Sequence, residues 1–330
     1  MGDESHAERI GPPLPPERSV AGEGWAPRWP PPRRRRWFTS VPFHLLLFCL
    51  TVLTTLTVGA RIALNYAHGL PTFDWEISRA FFSELFRHPS LLELGVPFSF
   101  TLLSILLAHE FGHYFTCRHY GIDVTYPYFI PAPTLIGTLG AFIRIKSPIV
   151  TRRALFDVGI SGPLAGFAVA VPALALAVLH SKTAAPTMAP DSITLGNPLT
   201  LILLTRLLRP EMGPVGLALH PVGSAAWVGL FATALNLLPA GQLDGGHILY
   251  AVLGEKHRTV SRGLFLALVP MGVFCWAGWM VWAAILLALG LRHPKVMLPS
   301  EPLDHGRRFL ALAAALVFVL TFIPTPFSIH

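Results

Sequence analysis

Immediately after the arginine block Arg33 to Arg36, the chain runs from Trp37 to Ala60 without one Asp, Glu, Lys or Arg. A run of that length needs a bilayer or a large dry core around it, since about 20 apolar residues span membrane hydrocarbon as a helix. Further apolar runs cover about Leu94 to Cys117, Leu155 to Leu179, Ala225 to Leu253, 263–290 and Phe309 to Ile323. Composition agrees: 52% of the 330 residues are hydrophobic and 13% are charged, about half the charged share of a soluble domain. The run Val41 to Leu64 is too long for a signal-peptide core and no A-x-A-like site closes it, so it reads as a first transmembrane helix. The expected fold is an all-α polytopic transmembrane protein of about six spans or more, with a small membrane-associated β-hairpin.

Charge placement orients these spans. The net charge of +7 sits in short clusters beside apolar runs, at Arg33 to Arg36, Arg152 and Arg153, Lys256 and Arg258, and Arg307 and Arg308. That is the pattern of cytoplasmic loops under the positive-inside rule, and it argues against nucleic acid as a partner. With the N-terminus cytoplasmic, the second span returns inward and the basic segment 118–153 falls inside. The polar, Pro-rich connection 181–221 falls outside, and 263–290 reads best as a hairpin broken near Pro270. Four regions follow: a disordered Pro/Arg-rich cytoplasmic tail (1–40), a first helix with an amphipathic connection (41–93), a catalytic core (94–253) and C-terminal transmembrane segments (254–330). The three cysteines, Cys49, Cys117 and Cys275, all lie in apolar runs and read as packing residues rather than a disulfide framework.

The second span contains His109-Glu110-Phe111-Gly112-His113. This H-E-x-x-H spacing puts two imidazoles one turn apart on one helical face, where both reach one cation. Imidazole suits Zn²⁺, and Glu110 beside the first ligand can move a proton from the attacking water to a leaving amine. Three ionisable groups within five residues of a bilayer-spanning helix cost roughly 2.5–3.5 kcal/mol each at its centre. A chance match has no stability reason to carry that cost. Asp244, the only acidic residue in the fourth apolar run, is the candidate third ligand. At 1.5 Å rise per residue, His109 lies about 13 Å from the basic edge at Arg118, and Asp244 about 16 Å from Glu255. Asp244 can also cap a helix restarted after Pro239 and Gly241, and both roles can hold at once. That break exposes backbone polar groups, which are tolerated only against protein or a wet cavity.

His109 to His113, together with Leu243-Asp244-Gly245 and Asn236 upstream, resemble the site-2 protease family (M50) of intramembrane zinc metalloproteases. The run Gly159-Ile160-Ser161-Gly162-Pro163-Leu164-Ala165-Gly166 resembles its glycine-rich third core helix, and close helix packing is the simpler use of those glycines. The resemblance implies Asp244 as third protein ligand and Asn236 as a holder of substrate backbone. It also implies that the segment from Tyr126 through Gly137 to Ile145 is a membrane-embedded hairpin, with Gly140 and Phe142 on the strand offered to an extended substrate. The segment 181–221 is too short for the PDZ domain of many members, so the expectation is a PDZ-less, bacterial-type member in the bacterial inner membrane. It would cut membrane-spanning protein substrates within the lipid bilayer. A membrane metal transporter using the same His/Asp cluster is the alternative, although no internal repeat is visible. Neither reading sets an oligomeric state.

Overall fold

The computed structural model describes residues 40–74, 79–183, 192–212, 217–290, 296 and 302–329. The tail expected over 1–40 lies outside these residues, apart from Ser40. Helix α1 (Val41–His68) starts with Pro42 in its first turn and stops at Gly69, whose φ of 69° lets it close the helix end. An amphipathic α2 (Arg79–Arg87) follows, then a short 3₁₀ turn (Pro89–Gly95) leading into α3 (Val96–His119). Helix α4 (Arg152–His180) is capped by the Thr151 side chain, which accepts from the Ala154 N–H. The helices Val41–His68, Pro89–His119 and Arg152–His180 are long and apolar enough to cross a membrane. The remaining helices among the described residues are shorter or more polar: α5 (Leu199–Leu208), α6 (Pro221–Asn236), α7 (Asp244–Leu253), α8 (His257–Phe274), α9 (Gly278–Leu289) and α10 (His305–Thr321).

Two expectations need correction. The connection 181–221 is not simply polar, because it carries α5, an apolar helix of ten residues that packs Leu201 into the core. Ten residues rise only about 15 Å, too little to cross a bilayer. The hairpin of 263–290 is present, but it breaks at Cys275–Ala277, whereas Pro270 sits inside α8. A proline removes one N–H from a helix that tertiary packing can still hold. The reversal closes through bonds from the Cys275 and Trp276 N–H groups to the Met271 carbonyl, at 2.9 and 3.0 Å.

Helix α6 forms the axis of the fold. It is buried on nearly every face, with Trp227 and Leu230 fully covered by a core that includes Phe98, Leu102 and Ile105 of α3 and Leu174 of α4. Small polar groups tie the long helices where lipid offers no partner: Thr55 of α1 and Ser99 of α3 share a hydrogen bond of 2.7 Å. At one end of the bundle, β1 (Phe73–Asp74), β5 (Ser192–Leu195) and β7 (Phe327–Ile329) form an antiparallel sheet in the order β1-β5-β7. A second pair, β4 (Lys182–Thr183) and β6 (Leu217–Ala218), lies between α4 and α6.

Near that pair, the His220 ring accepts the Val222 N–H at 3.3 Å and so caps α6, with His180 at a ring distance of 6.4 Å and Tyr66 at 5.4 Å. Burial and then the neighbouring His180 hold the His220 pKa below the ordinary 6.5. An imidazolium cannot accept that N–H. In the unfolded chain the ring takes up its proton near 6.5, while the fold resists it. Stability from this cap is therefore whole above that pH and declines as pH falls through it. The expected result is lower hydrogen-exchange protection of the Val222 amide in acid, a loss that His220→Asn suppresses because Asn caps without titrating.

Between α3 and α4, β2 (Tyr128–Pro131) and β3 (Thr138–Phe142) form the expected hairpin, with Val124 bridged to Ile145 beyond it. Its turn presses Gly137 (φ 83°) onto the α1 backbone, where an added Cβ would sit 2.7 Å from the Thr54 carbonyl. Aromatic contacts hold both sides: His44 of α1 lies over Tyr128 at 4.2 Å, and Tyr126 stacks on Tyr114 of α3 at 5.6 Å.

Candidate metal centre

Helix α3 delivers His109, Glu110 and His113 into the interior, where they are only 6%, 5% and 7% exposed. The chain then leaves α6 at Asn236, turns through 237–243 and restarts as α7 at Asp244. The turn is tight: an added Cβ on Gly245 would lie 2.1 Å from the Leu237 carbonyl, and one on Gly246 2.5 Å from that of Gly241. Ser261 of α8 donates to the Pro239 carbonyl at 3.2 Å, satisfying one group released by the break. Leu243, not Asp244, occupies the capping position, so the Asp244 side chain is not the helix cap. Its carboxylate is turned to the imidazoles instead.

Three donor atoms converge. The Nε2 atoms of His109 and His113 are 3.1 Å apart, and Asp244 Oδ2 lies 3.3 Å from each. Zinc ligands about 2.0–2.1 Å from a tetrahedral centre stand about 3.3 Å from one another. The triangle therefore has the size that a small divalent cation requires, and two imidazoles with one carboxylate suit zinc. Among the described residues, this is the one group of three His, Cys, Asp or Glu side chains close enough to hold a metal ion. Cys117, four residues after His113, is instead buried with Ile122, Ala154 and Val158.

The surroundings orient the ligands. His113 Nδ1 donates to the Val158 carbonyl of α4 at 2.7 Å, which leaves the Nε2 lone pair for the metal. Helix α4 can come this close only because residue 162 is glycine, since an added Cβ there would lie 2.1 Å from His113 Nε2. Gly166 faces His109 in the same way but with more room, at 3.3 Å from its Cβ. His247, one turn along α7, packs over Gly159. Asn236 Nδ2 lies 3.2 Å from His109 Nε2, at the edge of the triangle. The backbone N–H of Ile143, the residue just after β3, lies toward the Glu110 carboxylate.

The structure thus brings His109, Glu110, His113, Asn236 and Asp244 together. Gly140 and Phe142 lie on β3, a strand that packs against α3. Gly140 takes a φ of 97° and Phe142, half exposed, stacks on Tyr128 at 5.2 Å. The strand's link to the acid runs through Ile143. Sequence reading missed the Ile143 N–H and the Val158 carbonyl, because backbone groups leave no mark in a sequence. It saw the glycines of α4 but not that they face the histidines.

Paired imidazoles one helical turn apart, a carboxylate from a second helix and an acid beside the first imidazole make up an H-E-x-x-H group that could hold a metal ion, in a mostly helical protein with three helices of membrane-crossing length among its described residues. Residues 97–276, more than half the chain, match the model of peptidase family M50, and the chain belongs to that family. Among curated proteins it is similar to the probable zinc metalloprotease EGY1, chloroplastic, of Arabidopsis thaliana, 30% identical over 291 residues that cover 83% of this chain and 52% of the relative. The Arabidopsis probable zinc metalloprotease EGY2, chloroplastic, is 28% identical over 247 residues, covering 74% of this chain and 44% of the relative. The rice (subsp. indica) probable zinc metalloprotease EGY3, chloroplastic, is 28% identical over 254 residues, covering 69% and 42%. The chain spans about half the length of the curated relatives it matches. Their names place them in chloroplasts and give no support to the bacterial inner membrane expected from the sequence. No solved structure matches the chain.

Proposed function

We propose that the chain is an intramembrane zinc metalloprotease that hydrolyses peptide bonds of membrane-spanning proteins. The observation that carries this reading is the triangle of His109, His113 and Asp244 donors, with the Glu110 carboxylate next to it and all four groups within a bundle of membrane-length helices. His109, His113 and Asp244 would hold the zinc. When bound, the metal polarises the scissile carbonyl and acidifies a water. Glu110 takes the proton of the attacking water and returns it to the leaving amine, while the Ile143 N–H keeps its carboxylate aimed. The Asn236 amide, 3.2 Å from His109 Nε2, would hold substrate backbone. Gly140 and Phe142 belong to the strand along which an extended substrate would align. A helical substrate must unwind locally first, because its peptide groups are otherwise engaged.

The same reading takes 94–253 as the catalytic core and 254–330 as C-terminal membrane segments. It counts about six spans or more, with α6 and α7 together forming one, and keeps the N-terminal arginines on the cytoplasmic side. Its test is reconstitution of the whole protein in liposomes with a tagged single-span substrate. Cleavage should stop when a chelator strips the metal and return with added zinc. Zinc flux across the liposome without any cleavage would favour the transporter reading instead. A second expectation concerns the hairpin. Ile143→Pro removes the N–H that meets Glu110 and should lower cleavage at least about tenfold while metal content, measured by atomic absorption, stays the same.

A further inference from the structure

At the end of the bundle opposite the three-stranded sheet, four charged or polar side chains from three segments close on one another. Arg307 of α10 donates from Nε to Asp157 Oδ1 at 2.8 Å and from Nη2 to Asp157 Oδ2 at 2.6 Å. Tyr120, just past α3, donates its hydroxyl to Asp157 Oδ2 at 2.5 Å and lies 3.2 Å from Arg307 Nη2. Asp304 fixes the arginine from its own helix: it caps α10 by accepting the Arg307 N–H at 2.9 Å and pairs with the guanidinium. The Arg307 and Asp157 side chains are each 23% exposed. A two-bonded guanidinium–carboxylate pair this sheltered is stronger and more directional than a surface ion pair.

The place of Asp157 gives the network its meaning. The next residue, Val158, offers the carbonyl that accepts His113 Nδ1–H. Five residues earlier, Arg152 donates to the Ala251 carbonyl at 2.6 and 3.1 Å and to that of Val252 at 3.3 Å, tying α4 to the end of the Asp244 helix. The start of α4 is thereby bonded on one side to α7, which carries one ligand, and on the other to α10 and the end of α3, which carries the other two. The space around His113 has little slack, because a single added Cβ on Gly162 would overlap its ring.

We propose that Arg307, through Asp157 and Tyr120, is a positioning residue of the metal centre, setting the height of α4 against α3 so that the Val158 carbonyl meets His113. Arg307 lies beyond the span matched by the family model, residues 97–276. The inference rests on the metal reading above. Arg307 touches neither metal ligand and acts through the start of α4 and the end of α3.

The test is Co²⁺ binding to the full-length, metal-stripped protein in detergent, read by its ligand-field spectrum and by titration. Arg307→Met and Asp157→Asn should each weaken Co²⁺ binding on the order of tenfold and alter the band pattern. The double variant should be no weaker than either single, since both remove one connection. Arg307→Lys, which keeps the charge and loses the two-bonded fork, should fall between. Thermal unfolding of the metal-free variants separates positioning from collapse. Affinity lost only in proportion to a general loss of folding, with Arg307→Lys behaving as wild type, overturns the proposal. So does wild-type affinity and spectrum in Arg307→Met. A wild type that takes up no cobalt overturns the metal reading itself, and this inference with it.

Discussion

Replacing Glu110 with Gln should leave the metal in place and lower cleavage by about 10²–10⁴-fold. The substitution keeps side-chain length and leaves the three donors, His109, His113 and Asp244, untouched. It removes the one buried carboxylate beside them that is not part of the donor triangle. The amide can still occupy the site by the Ile143 backbone, but it cannot accept a proton. Metal content should therefore match wild type, while single-turnover cleavage in liposomes collapses. Full cleavage by the Gln variant would remove Glu110 from the chemistry. Metal transport that survived the change, with cleavage absent in both proteins, would favour a carrier.

Adding one methyl group at Gly162 should do nearly as much damage by a different route. A Cβ there would lie 2.1 Å from His113 Nε2, 2.5 Å from Cε1 and 2.6 Å from Cδ2, so the ring cannot stay where it is. The ring is also bonded to Val158 on the same helix, so it cannot move while keeping that bond. Either His113 swings out of the triangle or α4 backs away from α3. Gly162→Ala should lower metal affinity by about 100-fold or more, beyond the roughly 10–100-fold typical of losing a partner behind a ligand. The companion substitution Gly166→Ala supplies the scale. Its Cβ would stand 3.3 Å from the His109 Cβ, a distance small adjustments absorb, so its loss should be much smaller. Equal affinities in the two variants would mean that α4 yields freely and that the glycine spacing serves helix packing alone.

Much of this site was legible before any coordinates, and for one reason. An H-E-x-x-H run in a span, and a lone acid in another, place polar groups where a bilayer makes them costly, and such groups are kept for a use. Helical periodicity then puts His109 and His113 on one face, and counting from the charged edges puts Asp244 at their depth. The long runs of α1, α3 and α4 were equally plain, because length and hydropathy alone define them. The short helices were not. Leu199 to Leu208 sits in a Pro-rich connection and is held by Leu201 packing into the core, a contact no local pattern announces. The reversal in 263–290 was drawn to Pro270, the usual breaker, yet it forms at Cys275–Ala277, where Gly272 lets Met280 close in.

By itself the sequence determined the chemical parts: which residues can bind a cation, which can carry a proton, and that they lie within long apolar runs of the chain. Those properties belong to residue type and spacing along one chain. The tertiary structure alone decided how the parts are held. The Val158 carbonyl orients His113, the Ile143 N–H meets Glu110, Gly162 makes room for a ring, and Arg307 reaches Asp157 across 150 residues. Each of these is a contact between segments distant in sequence, often through backbone atoms every residue shares, so only the packed chain distinguishes them.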